Sequence, residues 1–139
     1  MNVHTFLSHR RKPRFKLPPG TCDAHCHVFG PAAKFPYALS RRYTPEDAPK
    51  EMLAALHAHL GIGRAVIVQA SCHGTDNAAM LDCIASDPKR YRGVAIVNDT
   101  FIDKDFDKLD AGGVRGVRFN FVKHLGGAPD MAVFNRVID

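Results

Sequence analysis

Four times along the chain a short apolar or strand-like run is followed by a stretch with helical spacing. This alternation constrains the fold more than any other feature. Ala65-Val66-Ile67-Val68 and Val94-Ala95-Ile96-Val97 are nearly continuous apolar runs, the pattern of parallel strands covered on both faces. Strands are expected over 21–27, 64–71, 92–98 and 114–121. Met52, Leu53, Leu56 and Leu60 recur at near-helical spacing, as do Met80, Leu81 and Ile84. The first helix is expected to open at Thr44 as N-cap, with Pro45 in its first turn and Glu46 and Asp47 at the positive end of its dipole. Gly61 supplies its stop. The second helix is expected over 76–85, ended by Asp87-Pro88, and the third over 104–109. The fourth starts near Pro129 or Asp130 and is still running at Asp139. Strand–helix alternation of this kind predicts a parallel sheet with right-handed crossovers.

Two α/β architectures fit that alternation. A doubly wound fold usually carries a glycine-rich phosphate turn after its first strand, whereas here the first strand ends in His25-Cys26-His27. The expected fold is therefore a TIM-type (β/α)8 barrel. A complete barrel takes about 250 residues, and the chain has 139. Only the N-terminal four βα units of the barrel are then present. The expected organisation is a basic N-terminal arm over 1–19 and a half-barrel over 20–139.

The net charge of +5 is unevenly placed. Arg10, Arg11, Lys12, Arg14 and Lys16 lie in residues 1–19, which hold no Asp or Glu, so the remaining 120 residues are formally neutral. A basic arm suits phosphate-rich partners, but this one lacks the aromatic interleaving of single-strand binders, and no nucleic-acid partner is expected. No apolar run approaches the roughly 20 residues that span a bilayer, and no signal-peptide pattern opens the chain. The expectation is a cytoplasmic protein with no membrane partner. Cys22, Cys26, Cys72 and Cys83 form no CxxC pair and are expected as reduced thiols.

The densest chemistry lies in Asp23-Ala24-His25-Cys26-His27. Alternate strand residues share a face, so His25 and His27 should point together, with Cys26 opposite and away from any shared ligand. At the C-terminal end of a barrel strand both imidazoles would aim into the mouth where active sites of this fold lie. Such a pair can ligate zinc or another divalent ion as half of a site, or bind a substrate carbonyl or carboxylate. Ser71, at the end of the second strand, can donate to a ligand, but no paired base marks it as a nucleophile. His57 and His59 are expected on the solvated face of the first helix. Val117 and Phe119 suit the helix side of the fourth strand, leaving Gly116 and Arg118 inward. An arginine there is a bidentate carboxylate clamp, and Lys123 and His124 extend the positive surface.

Together, Asp23 to Pro31, Arg42-Tyr43-Thr44-Pro45, Val68-Gln69-Ala70-Ser71, His73-Gly74-Thr75-Asp76-Asn77 and Gly116-Val117-Arg118-Phe119-Asn120-Phe121 resemble the amidohydrolase superfamily. The similarity is to its amidohydrolase-related branch of 2-pyrone-4,6-dicarboxylate lactonases. The resemblance implies a (β/α)8 barrel and hydrolysis of a small carboxylated cyclic ester. His25 and His27 match the first-strand pair, and Tyr43, Ser71 and Arg118 match substrate-holding positions. His124 stands where the branch has a second substrate arginine. The later histidine of the metal site and the aspartate that serves as general base would fall beyond Asp139. Most of the superfamily uses divalent metal, while the lactonase branch is described as working without one.

The functional expectation is a hydrolase acting on a small anionic lactone. The alternative is a catalytically incompetent half-barrel that binds an anion or assembles with a partner. Expected partners are a small anionic substrate and either a second copy of the chain or a missing C-terminal half.

Overall fold

The computed structural model describes residues 6, 10–122 and 130–138. Four strands, β1 (Cys22–Cys26), β2 (Arg64–Val68), β3 (Tyr91–Ala95) and β4 (Val114–Val117), form one parallel sheet in the order β1-β2-β3-β4. Helices α1 (Lys50–Leu60), α2 (Ala78–Ser86) and α3 (Asp103–Ala111) connect them, and α4 (Met131–Ile138) follows β4. The order runs without the reversal that marks a doubly wound sheet. One crossover sense repeated in one direction carries each connecting helix to the same face. The core shows this: Ala65, Ile67, Tyr91, Ala95 and Val114 from alternate strand positions meet Leu53 of α1, Met80, Cys83 and Ile84 of α2, and Leu109 of α3. The expected parallel α/β architecture is thus present. No helix among the described residues is long and apolar enough to cross a membrane.

The strands are shorter than expected, and beyond two of them a side-chain amide binds the backbone. The Gln69 side chain, 2% exposed, turns inward and donates from Nε2 to the Gly74 and Asp76 carbonyls at 3.1 and 2.7 Å. The chain then enters a 3-10 turn, Ser71–His73, instead of extending β2 to 71. Beyond β3, Asn77 does the equivalent: its Oδ1 accepts from the Ile96 amide at 3.2 Å and its Nδ2 donates to the Ile96 carbonyl at 3.0 Å. β4 ends at Val117, after which the Arg118 amide still donates to Ala95 O at 2.8 Å.

The first helix corrects the sequence reading. It begins at Lys50, with Pro49 at the N-cap position, rather than after Thr44. A residue before proline is biased to extended backbone, and Ala48 accordingly pairs antiparallel with Phe29. The groups assigned to capping are engaged elsewhere. Thr44 Oγ1 accepts from Arg41 Nε at 2.7 Å, and the Asp47 carboxylate accepts from the Ala32 amide at 3.1 Å and the Tyr37 hydroxyl at 2.9 Å. The helix stops at Gly61 in the left-handed conformation, φ 79°, as expected. His57, assigned to the solvated face, is instead fully buried. It falls four residues after Leu53, one helical turn along the same face. α4 packs through Phe134, whose ring lies 4.9 Å from that of Phe119, and through Val137 against the core.

All four cysteines are free thiols, and they differ in burial. Burial beside Asp23 pushes the Cys26 thiol up to about 12, burial pushes Cys83 up to about 11, and Cys72 is fully buried and also raised by burial. The thiolate is the reactive form. An aromatic disulfide reagent at pH 8 is expected to titrate Cys22 rapidly and the other three only after denaturant. Fast reaction of more than one thiol in the native chain would contradict this packing.

Candidate active site

His25, His27, Ser71 and Arg118 stand at or just beyond the C-terminal ends of their strands. The His25 and His27 rings lie 5.1 Å apart and nearly perpendicular, at 89°, so the expected pairing on one side of β1 is present. Cys26 turns the other way and packs toward the core, donating from Sγ to Val66 O at 3.5 Å. His27 Nδ1 donates to Val68 O at 2.7 Å, which leaves Nε2 as its acceptor in the neutral ring. Burial lowers the His27 pKa, with the His25 and Arg118 charges adding to the shift and the Val68 hydrogen bond opposing it.

Arg118 arrives from the opposite edge of the sheet. Its Nη1 donates to Gln69 O at 3.2 Å. His27 and Arg118 therefore converge on the carbonyls of two adjacent residues, Val68 and Gln69, where β2 ends. The Arg118 charge acts on both His27 and Tyr43. Tyr43 and Ser71 share a cavity of about 330 Å³ with Arg42 and Asn120. Burial raises the Tyr43 phenol, as does its Cys72 neighbour, while Arg118 opposes the rise. A larger cavity, about 550 Å³, borders His27 but is lined largely by apolar side chains such as Phe29, Met52 and Leu56. That lining suits an anion less well than the smaller cavity does. Lys123 and His124 lie outside the described residues.

Sequence reasoning missed Asp23, His57 and Gln69. The Asp23 carboxylate accepts from the His25 amide at 3.1 Å through Oδ1 and from His57 Nε2 at 3.2 Å through Oδ2. The helical offset from Leu53 was the available signal for His57. Asp23, Cys26 and His57 offer three donor atoms within 4.8 Å of one another; the Asp23 carboxylate, Cys26 Sγ and His57 Nε2 are engaged in hydrogen bonds, while His57 Nδ1 has no partner among the described residues. His25 and His27 provide two donors, short of the three or four protein ligands a zinc site takes. Among the described residues no third His, Cys, Asp or Glu joins them in a group. The imidazole pair fits half of a metal site, and no complete donor set stands there.

A sequence profile described as "Amidohydrolase" matches residues 22–138. The chain is 57% identical over 114 residues to a 2-pyrone-4,6-dicarboxylate hydrolase of Comamonas testosteroni, covering 82% of this chain and 37% of that protein. It is 42% identical over 124 residues to a 4-sulfomuconolactone hydrolase of Rhizobium radiobacter, covering 88% and 42%. A crystal structure of a probable 2-pyrone-4,6-dicarboxylic acid hydrolase from Acinetobacter baumannii, with citric acid bound, superposes with a TM-score of 0.68 at 32% identity, over 73% of this chain and 38% of that one. The chain spans about two-fifths of the length of these relatives.

Proposed function

Because the chain belongs to the amidohydrolase family, we propose that it supplies the first four βα units of a (β/α)8-barrel hydrolase, working in the cytoplasm, that opens a small carboxylated lactone. One observation carries the reading. His27 and Arg118, from opposite edges of the sheet, reach the adjacent Val68 and Gln69 carbonyls. An imidazole and a guanidinium at the strand C-termini is a recognition pattern for a carbonyl beside a carboxylate. The relatives' names support the same substrate class: two are named as hydrolases of a pyrone dicarboxylate and of a sulfonated lactone, and a third binds citric acid.

In this reading Arg118 takes a substrate carboxylate, with the Tyr43 and Ser71 hydroxyls and His124 as further donors. His25 donates to the lactone carbonyl. His27, neutral and with Nδ1 committed to Val68, presents Nε2 as an acceptor that orients water. Water adds to the carbonyl carbon, its proton passing to a base from the unit that completes the barrel. The acyl–oxygen bond then breaks, and the ring oxygen leaves as a hydroxyl by taking that proton back from the base, giving one new carboxyl group. A divalent ion held by His25 and His27 with later ligands would supply Lewis acidity.

The test is ring opening of 2-pyrone-4,6-dicarboxylate, followed by loss of pyrone absorbance, against a pyrone without carboxylates. The expected result is turnover of the dicarboxylate alone by a complete barrel carrying these residues. The 139-residue chain is expected to bind it without turnover. Absence of both binding and turnover would sink the proposal.

A further inference from the structure

We propose that His57 and Asp23 are positioning residues for the candidate active-site imidazoles: the buried His57 ring holds the Asp23 carboxylate, which in turn holds the His25 amide at an irregularity in β1. The pairing of β1 with β2 shows where this matters. Cys22 and Asp23 pair with Arg64 and Ala65, but the next partner of Ile67 is Cys26, so β1 carries one extra residue between Asp23 and Cys26. An extra residue of this kind re-aims the side chains around it. By simple alternation Asp23, His25 and His27 would all share one face. With the bulge, Asp23 and Cys26 come together on the side of His57, and His25 and His27 are left facing each other. The bulge interrupts regular pairing, and the Asp23 carboxylate is what the His25 amide finds instead, at 3.1 Å.

The burial of His57 points the same way. The ring is 0% exposed, and its Nδ1 has no hydrogen-bond partner among the described residues. A leucine one turn after Leu53 would fill that space without stranding a polar atom. The hydrogen bond from His57 Nε2 to Asp23 Oδ2 is what distinguishes the histidine, because a carboxylate only accepts and the ring must donate to it. The link therefore runs from the core of α1, through Asp23, to the backbone of the first site residue.

Nuclear magnetic resonance on the 139-residue chain tests this without any assay of activity. In the unmodified chain the His57 ring proton should sit on Nε2, and cross-peaks should join the His25 and His27 rings. Asp23→Ala and His57→Leu should lose the inter-ring cross-peaks and shift the His25 amide resonance upfield. Asp23→Asn, which keeps a carbonyl acceptor for that amide, should restore both. Folded variants with an unchanged His25 amide and intact cross-peaks would overturn the proposal. A His57 proton found on Nδ1 alone would overturn it even if every variant failed to fold. The functional meaning of the two imidazoles rests on the proposed hydrolase reading, but these readouts do not. Changed spectra in a protein that neither binds nor opens lactones would remove that reading and leave the positioning role standing.

Discussion

Replacing Arg118 with alanine in a catalytically complete barrel is expected to weaken productive binding of a carboxylated lactone by about 2–5 kcal/mol, the usual cost of truncating one partner of a buried charge pair. That is roughly 30-fold to several thousand-fold in kcat/KM. The fold should survive the change. Among the described residues the Arg118 side chain makes one hydrogen bond, from Nη1 to Gln69 O, and a bond of that kind contributes about 1 kcal/mol to stability. Arg118→Lys should recover only part of the loss, because a lysine ammonium supplies a point charge where a carboxylate wants a planar fork. The loss should shrink for a lactone that lacks the carboxylate, since the guanidinium then has less to clamp. Unchanged kinetics in Arg118→Ala, with a lowered unfolding midpoint, would make Arg118 a latch on the β2 terminus.

What the sequence made legible was whatever periodicity reports directly. The near-continuous run from Ala65 to Val68 announced a parallel strand, and the His25–His27 pairing followed from alternation. Even the exclusion of Cys26 from that pair held, since its thiol packs toward the core. The misreadings arose where a side chain substitutes for backbone. The Gln69 side chain ties the turn after β2, and Asn77, 19 residues before Ile96, takes the Ile96 amide and carbonyl beyond β3; nothing in their local spacing says that a side-chain amide will do this. Thr44 and Asp47 carried the marks of a helix start, yet both are consumed by the loop that precedes Pro49. His57, expected on the solvated face with His59, lies one turn after Leu53 on the buried face instead. Its partner Asp23 lies 34 residues away, and the bulge that brings Asp23 round is a property of strand pairing, not of either segment alone.

Gly30 is the position where a single methyl group should cost the fold most. It closes β1's exit into the long loop, with φ at +66°, and its amide donates to His73 Nε2 at 3.2 Å in a buried contact. An alanine there faces two separate penalties. The left-handed backbone costs a residue with a Cβ about 1–2 kcal/mol. The new carbon would also lie 2.6 Å from the Ala32 amide nitrogen and overlap the Asp47 carboxylate. Neither can move freely, since each is the other's hydrogen-bond partner, and overpacking of this kind costs a further 1–3 kcal/mol, roughly. Gly61 supplies the control. It has a similar φ of +79°, but a Cβ there meets nothing within 4 Å, so Gly61→Ala should carry the backbone penalty alone. With urea slopes of about 1–3 kcal/mol per molar for small domains, Gly30→Ala should unfold at a clearly lower urea concentration than Gly61→Ala. It should also loosen the loop that leads to Tyr43, and with it the cavity Tyr43 shares with Ser71. Equal midpoints for the two variants would show that the Gly30 backbone relaxes away from Asp47 without cost, and that the close approach at the end of β1 does not hold the loop in place.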